Sequence, residues 1–72
     1  MNREDYMTQQ YQVAEQTNEF LVQWGLKQLF VADACQISRP VLSAFLNHRL
    51  ALSKTQLTNL IAYMNDYRQR NE

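Results

Sequence analysis

One glycine, Gly25, and one proline, Pro40, are the only two residues of those strong turn-forming types in this chain of 72 residues. A β-rich fold needs many reversals, and its tight hairpins need residues at ease with positive φ. With Gln, Leu, Ala, Met and Asn outweighing β-branched types, the chain is expected to be all helix. Its length is that of one small domain, so any function must sit on a single unit. Apolar residues make up 46% and charged residues 19%, far from the signature of a disordered chain.

Apolar spacing places four helices. Asn2 is positioned to cap the first, with Glu4 and Asp5 in its electropositive first turn. Tyr6, Val13, Thr17, Phe20 and Trp24 then recur at helical intervals, and Tyr11, Ala14 and Leu21 widen the stripe. The pattern is strongest from Val13 to Trp24 and ends at Gly25, the one residue that enters a left-handed cap without steric cost. Residues 1–12, where Gln9, Gln10 and Gln12 interleave with Tyr6, Met7 and Tyr11, read as an N-terminal extension that is helical, a separate turn or frayed. A short helix follows from Gln28 to Cys35. Ser38 is an N-cap for the next, starting about Arg39, since Pro40 is tolerated in a first turn. That helix ends near Asn47 or His48, and the loop Arg49 to Leu52 leads to Ser53, which forms a capping box with Gln56. Leu57, Leu60, Ile61 and Met64 make the stripe of the last helix, and residues 68–72 form a polar tail expected to fray. The domain proper is residues 13–67.

Two short helices across a tight turn make specific demands on side-chain type. Val31 and Cys35 should face the core, Ala32 supplies the small residue where the helices cross, Ile37 should plug the turn, and Leu42 and Phe45 should hold the second helix down. All six positions carry suitable residues.

The run from Gln28 to Asn47, QLFVADACQISRPVLSAFLN, and its continuation through His48, Arg49 and Leu50 to Ser53 resemble the helix-turn-helix of the lambda-repressor-like, or Cro/C1 (XRE-type), DNA-binding domains. The resemblance covers roughly residues 13–64. It implies a compact all-α domain of four to five helices, with the helix of about residues 39–47 entering the major groove. Two departures stand out. The family usually has Gly where this chain has Gln36 and again where it has His48, and a left-handed backbone costs a non-glycine residue about 1 kcal/mol. Both turns are therefore open on sequence alone, and the family's fifth helix is short or missing.

The face opposite Leu42 and Phe45 carries Arg39, Pro40, Ser43 and Ala44, which the resemblance marks as base-reading positions. Arg39 offers a planar fork able to bond O6 and N7 of guanine, while Pro40 and Ala44 offer only apolar contact, as to a thymine methyl. Gln28, Ser38, Asn47, His48, Arg49 and Lys54 are the expected backbone contacts. Small domains of this kind gain affinity by pairing on palindromic sites, so a homodimer is expected, with Tyr6, Met7, Tyr11, Tyr63 and Tyr67 as candidate seam residues. Phe20, Trp24 and Phe30 read as core rather than as base-stacking platforms.

Other classes find little support. One His and one Cys, without a Gly-rich phosphate loop, assemble neither a catalytic triad nor a metal site, so no enzyme activity, metal or cofactor is expected. Cys35 reads as a small core residue, and a lone cysteine points to no disulfide framework. The acidic opening lacks the start of a signal peptide and no apolar run approaches a membrane span, so a cytoplasmic protein is expected, in a phage, plasmid or bacterial setting by the resemblance. The formal charge is zero but divided: residues 1–26 set Arg3 against Glu4, Asp5, Glu15 and Glu19, a net −3, while residues 27–54 set Lys27, Arg39, Arg49 and Lys54 against Asp33, a net +3. The basic segment coincides with the helix pair. The leading expectation is a sequence-specific transcriptional regulator, a repressor, bound to double-stranded DNA. The rival is a protein-interaction module on the same scaffold, binding a regulator, polymerase or nuclease.

Overall fold

In the computed structural model, which describes residues 3–71, four helices succeed one another: α1 (Arg3–Trp24), α2 (Gln28–Cys35), α3 (Arg39–Leu46) and α4 (Lys54–Asn71). There is no strand among the described residues, as the scarcity of turn formers requires. The helix α1 is continuous across residue 12, and α4 runs through the segment expected to fray. The capping role of Asn2 and the side chain of Tyr6 lie outside what is described.

The helices close on one core. α1 packs against α3 and α4, and α2 packs against the same two. The Cα radius of gyration of 11.7 Å matches the value of about 11 Å expected for a folded chain of this length. Phe20, Val31, Leu42, Phe45, Leu52 and Leu60 are the largest apolar side chains removed from water, each contributing roughly 1.5–3 kcal/mol by burial. Val31, Ala32, Cys35, Ile37, Leu42 and Phe45, the six positions demanded of the α2–α3 pair, are all buried. Phe30 is not part of this core, contrary to expectation: it is 57% exposed. Its neighbours Val31 and Ala32 take the inward face, and a helix turns each successive residue by about 100°. Tyr11, expected to widen the α1 stripe, is also exposed.

The first three helices end in the same way. Gly25, Gln36 and His48 stand in the left-handed region, with φ of 64°, 58° and 61°. After each, the next backbone N–H reaches back five residues: Leu26 to the Leu21 carbonyl at 3.0 Å, Ile37 to Ala32 at 2.9 Å, Arg49 to Ala44 at 2.8 Å. The left-handed residues themselves donate three back, to Val22, Asp33 and Phe45. This is the Schellman closure. At Gln36 and His48 it forms without glycine. A strain of about 1 kcal/mol is smaller than the gain from burying Ile37, roughly 1.5–3 kcal/mol, so the Gln36 turn keeps its shape.

The helix starts agree with the sequence. Ser38 Oγ accepts from the Val41 N–H at 3.4 Å, with Pro40 in the first turn of α3. Ser53 and Gln56 bond reciprocally, Gln56 N–H to Ser53 Oγ and Ser53 N–H to Gln56 Oε1, both at 3.1 Å.

Candidate nucleic-acid interface

The axes of α2 and α3 are bent by 115° at the break between them, and residues from the first turns of both helices line one cleft. There Gln28 and Leu29 of α2 meet Arg39, Pro40 and Ser43 of α3 around a shallow open cleft. Leu42, Phe45 and Leu46 hold the opposite side of α3 in the core, which turns Arg39 and Pro40 fully outward and leaves Ser43 and Ala44 half-buried. Arg39 has no carboxylate partner among the described residues. Its guanidinium, in the electropositive first turn of α3, is a cation set where a helix disfavours one. A free planar fork in that position is suited to an anionic or acceptor-rich partner.

The other expected contact residues are divided. Ser38 is exposed, but its Oγ is engaged as the α3 cap. Asn47 donates from Nδ2 to the Ser43 carbonyl at 2.8 Å, folding back onto its own helix. Arg49 is exposed in the α3–α4 connection, and Lys54 is exposed at the start of α4. His48 and Arg49 border a second cleft, of about 100 Å³, with Met7, Tyr11, Phe45 and Leu50. The two clefts share no lining residue, so the expected contacts form two separate groups. His48 is held elsewhere: its Nε2 lies 2.8 Å from Glu15 Oε1, and its ring meets Tyr11 edge-on at 4.9 Å. That carboxylate occupies the Nε2 side of the His48 ring.

Of the candidate seam residues, Tyr63 and Tyr67 are half-buried and pack with each other and with Phe20, while Tyr67 also meets Trp24. Met7 and Tyr11 are exposed, at 38% and 46%. Cys35 is buried, and burial pushes its thiol up to about 11, which keeps it protonated and unreactive at neutral pH. No cluster of three metal-ligating side chains occurs among the described residues.

One residue at this site carries no motif that would single it out in the sequence. Gln10 is buried, and its amide spans both backbone groups of Leu52: Nε2 donates to the carbonyl at 3.1 Å and Oε1 accepts from the N–H at 3.0 Å. Its only sequence signal is its place on the same helical face as Val13, Ala14 and Thr17.

Comparison with known protein families, curated proteins and solved structures finds no match to this chain.

Proposed function

We propose that the protein is a sequence-specific DNA-binding regulator of the Cro/C1 kind, with α2 and α3 as its helix-turn-helix and α3 as the helix that enters the major groove. The observation that carries this reading is the outward face at the start of α3. Arg39 stands there without a carboxylate partner among the described residues, beside Pro40, Ser43 and Gln28, on a helix pair bent by 115°. Helix pairs that read DNA cross at about 90–120°. In this reading Arg39 bonds a guanine edge, Pro40 and Ala44 give close apolar approach, and Gln28 and Arg49 bond phosphates. The protein acts by binding, without catalysis or cofactor, and represses as a homodimer on a palindromic site.

The modest basic charge of the segment supports few phosphate contacts per subunit, so pairing of subunits carries much of the affinity. Selection from a random duplex pool at two salt concentrations tests the reading. The expected result is an enriched palindrome with half-sites about one helical turn apart, bound less tightly as salt rises. Arg39→Ala should weaken the selected site by about 1–3 kcal/mol and relax preference at one base pair. No enrichment at either salt overturns the reading.

Phe30 favours the rival function. A phenylalanine 57% exposed on α2 is an anchor of the kind that protein interfaces use. Loss of a protein partner on Phe30→Ala, with no duplex selected, would support an interaction module instead.

A further inference from the structure

Four contacts tie α1 to the end of α3 and the segment after it. Gln10 holds both backbone groups of Leu52. Tyr11 meets the His48 ring, and Glu15 bonds the same ring. Asn18 donates from Nδ2 to the Leu46 carbonyl at 3.3 Å. Tyr11, Glu15 and Asn18 keep helical spacing and Gln10 stands on the adjoining buried face, so α1 touches the chain from Leu46 to Leu52 at its start, middle and end. Between those anchors lie Asn47 and Arg49, exposed.

The Gln10 contact is the most demanding of the four. A side-chain amide presents both N–H donors and a carbonyl acceptor, as a peptide group presents one of each, and so replaces the ladder partner that an irregular segment lacks. Glutamate has no donor to offer the carbonyl, and leucine has neither group. A buried glutamine in a core of apolar residues is retained where both its bonds are made.

We propose that Gln10 is a positioning residue for DNA binding: it fixes the α3–α4 connection so that Arg49 meets a phosphate without first being ordered. The proposal rests on the DNA reading and adds to it a part for α1, which touches no DNA in that scheme. Preorganisation of this kind raises affinity by removing an ordering cost at the moment of contact. It acts on a phosphate contact that still forms once the connection has been ordered, so its loss should weaken binding to all sequences alike and leave base preference and salt slope unchanged.

The experiment compares the wild-type chain with Gln10→Leu, Asn18→Ala and a core control, Met64→Ala, at a temperature where circular dichroism shows each to be folded. Hydrogen exchange at the Leu52 amide reports on the connection without DNA, and titration of a mixed-sequence duplex over a range of salt reports on binding. For Gln10→Leu the expected results are faster exchange at Leu52 and affinity weaker by about two- to tenfold at every salt concentration, with the wild-type salt slope. Met64→Ala should lower thermal stability and leave the affinity unchanged. Wild-type affinity in Gln10→Leu would overturn the proposal and leave the DNA reading standing. Absence of wild-type binding at any salt would overturn both. If Gln10→Leu does not fold, Asn18→Ala decides: weaker affinity at the wild-type slope supports the proposal, and wild-type affinity overturns it.

Discussion

The turn after α1 and the turn after α2 are closed by the same pair of backbone hydrogen bonds, but one is built on Gly25 and the other on Gln36. They also differ in the residue that each turn delivers next. Leu26, after Gly25, is only partly buried, whereas Ile37, after Gln36, is 3% exposed and sits in the core. The first turn is held by backbone ease, the second by the side chain it drives inward. A left-handed residue need not be glycine when burial of its neighbour outweighs the strain.

This contrast can be broken most directly at the residues after the turns. Ile37→Ala should cost about 2–4 kcal/mol in urea denaturation, and Leu26→Ala roughly half as much. Equal costs would refute the division of labour. Next in size, Gly25→Ala should cost about 1–2 kcal/mol. A Cβ there would meet no atom within 4 Å, so the loss comes from φ alone and a bulkier side chain should add little.

The α2 turn also carries a titration that the α1 turn does not. Cys35, immediately before Gln36, has its thiol raised by burial from 9.0 to about 11. The folded state therefore holds its proton more tightly than the unfolded state. Its stabilising effect is complete below about pH 9 and lost as pH rises towards about 11. Thermal denaturation over that window should show falling stability, and Cys35→Ala should flatten part of the fall. Tyr63, raised by burial and by its neighbours Cys35 and Tyr67, contributes in the same direction.

The smallest expected effects are gains. Gln36→Gly should stabilise by about 1 kcal/mol, the strain it relieves. His48→Gly should give less, because it also removes the bond to Glu15 and the ring contact with Tyr11. Thermal melts of the two single variants would rank them.

Much of this architecture is legible in the sequence. The caps at Ser38 and Ser53 depend on residues three apart, and the buried positions of α2 and α3 reflect apolar spacing, so local chemistry determines both. The turns at Gln36 and His48 are not legible, because their outcome depends on packing, which propensity does not record. Phe30 departs from its expected place because hydrophobic type is no guide to direction when Val31 and Ala32 compete for the inward face. At the candidate site, the outward direction of Arg39 and Pro40 is implied by the inward direction of Leu42 and Phe45. The Glu15 partner of His48 and the Leu52 partner of Gln10 are not implied by any local pattern, because they lie 33 and 42 residues away.

That last separation bears on how the chain reaches its fold. The closing bonds of the α2 and α3 turns span at most five residues, so this pair can form from local encounters with little chain entropy to overcome. The Gln10–Leu52 pairing gains nothing until a loop of about forty residues has closed. The seam between α1 and the α3–α4 connection is therefore expected to form late, after the local closures of the helix pair.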